Sequence, residues 1–522
     1  MAGGLLNLVS GGNQNAIMYS NPQKTYWTST YKQITNFGLQ NFRLNYEGLR
    51  QLQPSNDTVY LFKVKRYADL LTNTFFSIEL PDIYSPIYID ANGNHPYEFR
   101  WIKNIGAMMI RTIRFTIGGS LIQQMSGTDI LALANRDLNG TQKNKWNHMI
   151  GNIPDVYDPS RCGYYPNAAE HASGAEPSIR GRELRVPLPI WWGLTSQQAF
   201  PLVCLQYNEL HIEVTLRPLR ELYTIRDITN TTGNTDNIIA PNFTIPAHQF
   251  NNFLYSPPEN GIYPSNTSWN ENTHLSCTYC FLSEDEVIVF ASSQQSYLIR
   301  ELYDTSFYGV SITDKVWLQN STGLVIDWMF LFQRSDVNAR NEWSNFTNWA
   351  YDFLPSNIIP SPYKNVDGSV IYETGPYSNE NQKEILVTLG ILFDGVVREE
   401  TRSESVYRYE QQYQSIGGGF STLEGLYCYN YCLNTSPLNI QPSGAINLSK
   451  YSHIELEFTT ITPTPNPNAN YFVVCDPLLN QQIGVNKSTV KLYNYYFDLL
   501  VIEERYNVLS FVGGNAALMF AR

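Results

Sequence analysis

Residues 209–217 read ELHIEVTLR and alternate strictly between apolar and polar side chains. The apolar positions that share one face of an extended chain are Leu210, Ile212, Val214 and Leu216. Successive side chains of a strand point to opposite sides of a sheet, so this pattern predicts a strand with one buried face and one solvated face. Half-buried strands of this kind are typical of antiparallel sheets.

The same period of two returns in both halves of the chain. It is clearest in residues 111–117 (RTIRFTI) and 453–460 (HIELEFTT). Further runs that read as strands lie at residues 59–64, 75–80, 273–282, 384–392 and 490–502. So many short alternating or β-branched runs predict an all-β chain of the sandwich type.

Helical patterns are few and short. Residues 126–138 (SGTDILALANRDL) begin with Ser126 and Asp129 at the spacing of a capping box, and a short apolar stripe follows. Residues 294–303 form a second, weaker helix candidate. Neither segment is long enough to organise a domain, so we predict few short helices beside the sheets.

The composition is that of a large folded protein. The chain has 522 residues, of which 43% are hydrophobic and only 16% are charged. Disordered chains need high charge and few aromatic residues, so this class is excluded. A chain of this length can bury a large core without metal or disulfide cross-links. Aromatic residues make up 14%, and we expect them to fill the core and subunit interfaces.

The charge balance bears on partners. Lys and Arg number 35 against 47 Asp and Glu, which gives a net charge of −12. Proteins that coat nucleic acid contact many phosphates through basic residues, so we predict no direct nucleic acid binding. No apolar stretch approaches the roughly 18 residues of a membrane-spanning helix. The first residues lack the positive region of a secretory signal, so we expect the seven cysteines to be reduced thiols.

The pattern along the chain predicts two tandem sandwiches. Long polar insertions separate the strand clusters, at residues 81–95, 139–178, 226–272 and 333–383. His211 and His453 begin similar alternating segments 242 residues apart, close to half the chain, which hints at duplication. We expect an N-terminal arm at 1–24, a first sandwich at 25–225, a second at 226–505 with 226–272 as linker, and a C-terminal segment at 506–522.

Several motifs resemble those of a known family. They are, in chain order, the arm and first strand at 1–40, GSLIQQMSG at 119–127, NHMIGN at 147–152, PLPIWW at 187–192, AFPLVCLQYNE at 199–209, QPSGAINLS at 441–449 and YNVL at 506–509. The sequence resembles the major capsid proteins of nucleocytoplasmic large DNA viruses, of the iridovirus, phycodnavirus and mimivirus type. One departure is Trp191 and Trp192, where the family usually has Phe.

The resemblance implies a double jelly roll, with two eight-stranded antiparallel sandwiches side by side. It also implies a structural protein of the virion, made in the host cytoplasm, whose homotrimers form pseudo-hexagonal capsomers that tile an icosahedral shell. The long polar insertions would form an outer crown that contacts neighbouring capsomers. The arm at 1–24 would lie underneath, towards minor capsid proteins or an internal membrane.

No catalytic constellation is recognisable. The sequence contains no GK[ST] phosphate loop, HExxH, GxSxG or EF-hand motif. The acidic clusters at 284–286 and 399–400 are expected to be solvated charge. We therefore predict no catalytic residue, no cofactor and no enzymatic activity.

The candidate metal ligands are His274, Cys277 and Cys280, with Cys428 and Cys432 as a second pair. An offset of three in a strand puts Cys277 and Cys280 on opposite faces. Cys428 and Cys432 would lie about 13 Å apart along a strand. Zinc needs convergent ligands, so we predict buried thiols and no metal site.

Ten N-x-[ST] sequons occur in this Asn-rich chain. Some members of the resembled family carry surface glycans, so the sequons within polar insertions are the candidate glycosylation sites: Asn230, Asn242, Asn266 and Asn345. Asn447 lies inside the QPSG motif, where we expect its side chain to make a structural hydrogen bond.

Two alternatives remain open. One is a minor capsid or penton protein of the same fold. The other is a β-sandwich glycan-binding protein or glycosidase, which would show an open groove with two carboxylates about 5–10 Å apart.

Overall fold

The computed structural model describes residues 3–85, 97–159, 177–227, 238–254, 269–352, 359–364, 370–373, 382–414, 423–463, 471–475, 482–487 and 494–520, with backbone alone at 359–364, 370–373, 471–475 and 482–487. The strands that make up the first lobe are β1 Gly38–Leu44, β2 Thr58–Lys63, β3 Leu70–Leu80, β4 Tyr97–Trp101, β5 Ile110–Ile117, β6 Ser120–Met125, β7 Arg182–Pro187, β8 Phe200–Pro201, β9 Leu210–Leu216, β10 Tyr223–Asp227, β11 Ile238–Ile239 and β12 His274–Phe281.

The strands that make up the second lobe are β13 Gln295–Val310, β14 Thr313–Trp317, β15 Leu324–Arg334, β16 Ile359–Lys364, β17 Val370–Glu373, β18 Leu386–Phe393, β19 Val396–Ser403, β20 Leu426–Asn430, β21 Ile446–Asn447, β22 Ile454–Thr460, β23 Tyr471–Cys475, β24 Gln482–Lys487, β25 Phe497–Val512 and β26 Asn515–Leu518. The α-helices are α1 Gly3–Val9, α2 Ala16–Tyr19, α3 Ile105–Met108, α4 Gly127–Asp137, α5 Gly140–Met149, α6 Pro154–Tyr157, α7 Trp191–Leu194, α8 Glu284–Ser292 and α9 Gln411–Gln414.

The first lobe is built from antiparallel sheets around one core. One sheet has the order β2-β9-β5-β6, and another has the order β1-β12-β3-β7 with β8 also on β3. A three-stranded sheet, β11-β10-β4, lies beside them. Tyr60 and Phe62 of the first sheet and Phe76 and Ile78 of the second belong to the same buried cluster, so the core lies between the two sheets.

The second lobe repeats this plan. Its four-stranded sheet has the order β14-β22-β18-β19, and its larger sheet has the order β13-β25-β15-β20 with β21 also on β15 and β26 also on β25. Strands β9 and β22 each occupy the second place of a four-stranded sheet, and both bury alternate residues. The two segments that suggested duplication therefore hold equivalent positions.

Strand β15 is buried on both of its faces. Phe330 and Phe332 point into the core of the second lobe. Met329 and Leu331 belong to the cluster that forms the core of the first lobe. A strand covered on both sides has no reason to alternate, which explains the nearly continuous apolar run in its sequence.

The helix predicted at 126–138 is present as α4. The Ser126 side chain accepts from the Asp129 backbone N–H, and the Asp129 carboxylate accepts from the Ser126 backbone N–H, which completes a capping box. The polar insertion at 139–178 contains two helices that we did not predict, α5 and α6. In the described part of the chain, no helix is long and apolar enough to cross a lipid bilayer.

The weaker helix prediction at 294–303 is wrong. This segment is part of β13, which pairs antiparallel with β25 from Gln295 opposite Phe511 to Val310 opposite Phe497. The long ladder of hydrogen bonds with a partner that is distant in sequence outweighs local helix propensity. The strand predicted at 490–502 is observed from Phe497 onward, and residues 490–493 lie outside the described residues.

Strand pairing also differs from the predicted division of the chain. We expected residues 273–282 to belong to the second sandwich, but β12 pairs with β1 and β3 of the first lobe. The predicted end of the second sandwich at residue 505 falls within β25, which continues to Val512. Chain order suggested both boundaries, whereas sheet membership depends on which strand edges meet.

Candidate functional site

The two lobes meet along a buried seam. We use this name for the contact between the sheet β13-β25-β15-β20 and the α4, β6 and 187–194 region of the first lobe. The aromatic motif PLPIWW lies in it. The Trp191 ring packs 5.2 Å from that of Tyr297 on β13, and Phe200 packs 5.4 Å from Phe511 on β25 (ring centroids). Family-motif residues therefore join the lobes through aromatic contacts.

An ionic cluster lies inside the seam. Arg136 at the end of α4 is 2% exposed and contacts three carboxylates, those of Asp137 at 2.8 Å, Asp327 at 2.7 Å and Glu504 at 2.9 Å. Arg300 on β13 also contacts Glu504, at 3.3 Å. Since Arg136 belongs to the first lobe and Asp327 and Glu504 to the second, these ion pairs cross the seam.

The carboxyl groups of the cluster have pKa values that are shifted in opposite directions. Burial alone would raise the pKa of the Glu504 carboxyl, but Arg136 and Arg300 outweigh it and lower that pKa to about 2. Burial raises the pKa of Asp327 well above its ordinary value, although Arg136 opposes this shift. Two guanidinium groups thus serve three buried carboxylates, and one carboxylate is incompletely compensated.

A loop of the second lobe, which contains Asn341 and Trp343, also forms hydrogen bonds with the first lobe. Asn341 Nδ2 donates to the backbone carbonyls of Arg220 and Tyr223, at 2.8 and 2.9 Å. Trp343 Nε1 donates to the Glu221 carbonyl at 3.0 Å, and the Arg217 guanidinium lies 4.1 Å from the Trp343 ring centroid. Side-chain donors to carbonyl groups fix this loop without a shared strand.

Asp336 anchors the start of that loop. Its carboxylate accepts from Arg334 and Arg340, at 2.7–3.0 Å. Burial would raise the pKa of Asp336, but the two guanidinium groups outweigh burial and lower it. The loop is therefore held by buried charge at its base and by donors along its length.

The N-terminal arm exposes many of its apolar side chains. Helices α1 and α2 contain no buried residue. Leu8 is 81% exposed and Ile17 is 87% exposed, and Trp27 just beyond the arm is 93% exposed. Further along the chain, Thr35 Oγ1 donates to the Glu286 carboxylate at 2.7 Å. Apolar side chains that a single chain leaves in water mark a surface for another molecule.

Helix α8, which Thr35 contacts, is exposed as well. It contains no buried residue, and Ile288 and Val289 are 63% and 61% exposed. The acidic cluster at 284–286 forms its first turn, where negative charge suits the helix dipole. The second acidic cluster, at 399–400, is less free in solvent, because Glu399 accepts a hydrogen bond from the Tyr429 hydroxyl and forms an ion pair with Arg402.

The candidate metal ligands are His274, Cys277, Cys280, Cys428 and Cys432. In the described residues, no group of three His, Cys, Asp or Glu side chains is arranged to hold a metal ion. Cys277 and Cys428 are fully buried, and burial raises the pKa of each thiol to about 12. His274 Nδ1 donates to the Asn272 carbonyl at 2.7 Å, and His274 Nε2 lies 3.8 Å from the Glu183 carboxylate. These thiols act as small apolar groups in the core.

The sequons differ sharply in access. Asn242 is exposed, and its Oδ1 accepts from the Thr244 backbone N–H and hydroxyl, so its glycosylation stays a prediction. Asn345 is 1% exposed, and its Nδ2, the atom a glycan would occupy, donates to the Trp349 carbonyl. The prediction of a glycan at Asn345 does not fit this fold. Asn230 and Asn266 lie outside the described residues.

The QPSG motif makes a structural turn. Asn447 Oδ1 accepts from the Ser449 backbone N–H at 3.1 Å, as we expected for this sequon. Ser449 Oγ in turn accepts from the Gly323 N–H at 2.8 Å, and Leu324 and Val325 pair with β21. The motif therefore holds the start of β15.

Sequence reasoning missed the seam cluster. The available signal was a charge inside an apolar run, namely Asp327 within LVIDWMFLF and Glu504 within LLVIEERYNVL. Charges in a buried strand are costly unless they are paired, so each one predicts a partner. The identity of the partner, Arg136, is not readable from the sequence because it lies 191 residues away.

Comparisons with known proteins find similarity to viral capsid proteins. The family model described as the major capsid protein N-terminus matches residues 25–256. The chain is 29% identical over 230 residues to the probable capsid protein 4 of Acanthamoeba polyphaga mimivirus, covering 43% of this chain and 40% of that protein. It is 23% identical over 531 residues to the major capsid protein of Paramecium bursaria Chlorella virus 1, covering both fully.

The alignments with the first curated relatives span about half of their length or less. Among solved structures, the quasi-atomic model of the PBCV-1 virus capsid superposes with a TM-score of 0.62 at 19% identity, covering 95% of this chain and 100% of that one. This likeness establishes the shared fold, and the predicted double jelly roll is confirmed. Its motifs, its match to the family model over residues 25–256 and its fold make the chain similar to the major capsid proteins of large DNA viruses.

Proposed function

We propose that the chain is a major capsid protein whose homotrimers form pseudo-hexagonal capsomers in an icosahedral virion shell. The observation that carries the proposal is the fusion of two equivalent jelly-roll lobes in one chain through a buried seam. Three such chains supply six similar lobes, which suits a position with six neighbours in a closed lattice. The protein would be made in the host cytoplasm and would act in the shell.

The seam supports this role because the two-lobed chain must keep its shape within the capsomer. The sheet β13-β25-β15-β20 packs on a core at each face, so the lobes cannot slide without exposing apolar surface. The ion pairs of Arg136 with Asp327 and Glu504 hold the two lobes in one relative orientation. A rigid two-lobed unit presents the same edges to every neighbouring capsomer.

The exposed arm supports contacts beneath the capsomer. Its apolar side chains find no cover on their own chain, and α8 adds exposed Ile288 and Val289 nearby. The acidic first turn of α8 is a poor match for an anionic lipid surface. Minor capsid proteins are therefore the partner of the arm that the charges favour over an internal membrane.

The role is structural and not enzymatic. Glu504 is paired in the seam, Glu399 is paired with Arg402, and residues 284–286 form the exposed first turn of α8. The similar proteins reported above are capsid proteins. The glycosidase alternative requires hydrolysis of a glycosidic bond between two carboxylates in an open groove, and no observation on the described residues favours it.

Light scattering of the purified protein tests the proposal. Three chains of 59.7 kDa predict a mass of about 180 kDa. Electron micrographs of the same sample should show discs with six-fold appearance. A mass of a single chain at every concentration would contradict the proposal. For the minor-protein alternative, the copy number in purified particles decides, since a major protein dominates the gel.

A further inference from the structure

Asp327 and Glu504 lie directly opposite each other on the neighbouring strands β15 and β25. Both side chains are buried in the seam. Two ionised carboxylates at directly opposite positions of a sheet repel each other. The two carboxyl groups are nevertheless within hydrogen-bond reach of each other. A hydrogen bond between two carboxyl groups requires that one of them keeps its proton.

The charges around this pair also call for one proton. Arg136 reaches Asp327 Oδ2, whereas Asp327 Oδ1 is buried without a donor among the residues that the structure describes. Three carboxyl groups, those of Asp137, Asp327 and Glu504, share the two guanidinium groups of Arg136 and Arg300. A proton on Asp327 balances these charges and supplies the donor that the pair lacks.

A second pair of carboxyl groups joins the two lobes. Asp129 belongs to α4 of the first lobe and Asp304 to β13 of the second, and their carboxyl groups are within hydrogen-bond reach of each other. Asp129 is fully buried, and its Oδ2 accepts from the Ser126 backbone N–H. Its Oδ1 has no donor in the described part of the chain. A proton on Asp304 would satisfy that oxygen and remove the repulsion between the two acids.

The neighbouring groups decide where each proton sits. Burial raises the pKa of Asp327 well above its ordinary value, whereas the guanidinium groups keep Glu504 ionised. Burial and the adjacent Asp129 raise the pKa of Asp304. The ionisable groups that face the first pair are Arg136 and Asp137 of α4, Arg300 of β13, Cys428 of β20, the following Cys432, and Tyr506 of β25. Burial raises the pKa of both thiols and of the phenol, so these three groups are neutral around pH 7.

We propose that the seam contains two shared protons, one held by Asp327 against Glu504 and one held by Asp304 against Asp129, and that their loss in alkaline solution loosens the contact between the lobes. A carboxyl group whose pKa is higher in the folded state binds its proton more tightly there. Its contribution to stability is therefore complete below about pH 4 and is lost as the pH rises through the folded pKa. Asp304 is partly exposed on β13, so solvent can take up the proton of its pair.

Thermal unfolding of the full-length protein from pH 5 to pH 9 tests the proposal. In the double variant Asp304→Asn/Asp327→Asn, each amide is neutral at every pH and donates as the protonated carboxyl does. We expect the midpoint of the parent to fall by at least about 5 °C relative to this variant between pH 5 and pH 9. Glu457→Gln is the control, because Glu457 lies exposed on β22 beside Lys315, and it should follow the parent. Parallel curves for the parent and the double variant would overturn the proposal.

Hydrogen exchange measured by mass spectrometry locates the change. The ratio of the exchange rates of α4 and β22 cancels the intrinsic effect of pH on exchange. This ratio should rise severalfold from pH 6 to pH 9 in the parent and stay constant in the double variant. If the double variant does not fold, Asp304→Asn alone, at a partly exposed position, should remove about half of the rise. A constant ratio in the parent, or an equal rise in Asp304→Asn, would refute the proton shared across the seam.

Discussion

At the scale of the residue, Arg136 matters most because it neutralises carboxylates from both lobes. Its guanidinium contacts Asp137 within α4 and reaches Asp327 and Glu504 across the seam. A buried ion pair adds little net stability over a well-packed apolar pair. Removal of only one partner of a buried ion pair is different, because the remaining charges stay buried without compensation.

We expect Arg136→Met to lower the free energy of unfolding by about 3–5 kcal/mol, because three carboxylates lose their shared counter-charge. Urea titration followed by tryptophan fluorescence measures the loss. Lys63→Met is the control, since Lys63 pairs with Glu209 at 2.7 Å where both side chains are well exposed. Its loss should stay below about 1 kcal/mol. Equal losses of unfolding free energy in the two variants would show that the seam cluster stabilises the fold no more than an exposed ion pair does.

The Glu504 carboxyl also predicts a dependence on pH. Its folded pKa of about 2 lies below its ordinary value of 4.5, so the ionised carboxylate favours the folded state. That contribution is complete above about pH 5 and is lost as the pH falls through about 2. The stability difference between the parent and Glu504→Gln should therefore shrink over this window.

Thermal unfolding of the parent and Glu504→Gln from pH 7 to pH 2 measures this dependence. Glu213→Gln is the matched control, because Glu213 sits 3.7 Å from Arg114 in a solvated pair. We expect this control to differ little from the parent at any pH. A Glu504→Gln difference that stays constant with pH would contradict the assigned ionisation.

At the scale of the element, α4 docks so closely that its first residue must be glycine. A Cβ at Gly127 would lie 2.2 Å from the Ala107 carbonyl oxygen and 2.6 Å from that of Ile110. Backbone oxygens cannot yield as flexible side chains do. Gly140 occupies the same first position in α5, but a Cβ there meets nothing within 4 Å.

This pair of glycines gives a matched test. We expect Gly127→Ala to cost about 1–3 kcal/mol of unfolding free energy, because α4 must move away from α3 and β5. Gly140→Ala should be neutral or stabilising by up to about 1 kcal/mol, since alanine restricts the unfolded chain. Denaturant titration of both variants measures the difference. Similar values for the two would mean that α4 is not packed as closely as described.

Element predictions succeeded where the cause was local. The capping box of α4 and the alternation of β9 and β22 depend on neighbours in sequence. The segment of β13 was misread as a helix because its partner β25 lies about 200 residues away. For the same reason β12 was assigned to the wrong lobe, since its pairing with β1 has no local signal.

At the scale of the whole molecule, the arm and the body have separate tasks. The body holds two cores, and the arm contributes no buried residue from α1 or α2. The stability of the body should therefore not depend on the arm. Its exposed apolar side chains should instead matter when other proteins are present.

We expect deletion of residues 1–24 to leave the thermal midpoint and the number of chains per particle of the purified protein unchanged. Incorporation into particles should fall severalfold, because the arm is the surface proposed to contact minor capsid proteins. Sedimentation of particles from expressing cells, with the protein quantified in the pellet, measures incorporation.

A matched control keeps the arm at full length. Replacing Leu5, Leu6, Leu8 and Val9 with Ser removes exposed apolar surface without shortening the chain. This variant should reproduce much of the loss in incorporation. Normal incorporation of both variants would refute a role for the arm in assembly, and a lowered thermal midpoint would show that the arm belongs to the folded body.

The sequence by itself determined the strand pattern, the capped helix α4 and the similarity to capsid proteins, because each depends on residues that are close along the chain or on motifs that can be read in order. Only the tertiary structure decided that β15 is buried on both faces, that Arg136 meets Asp327 and Glu504, and that Asn345 is covered. These features arise where segments far apart in sequence exclude water together. Burial and charge pairing of that kind are properties of the packed chain and not of any one segment.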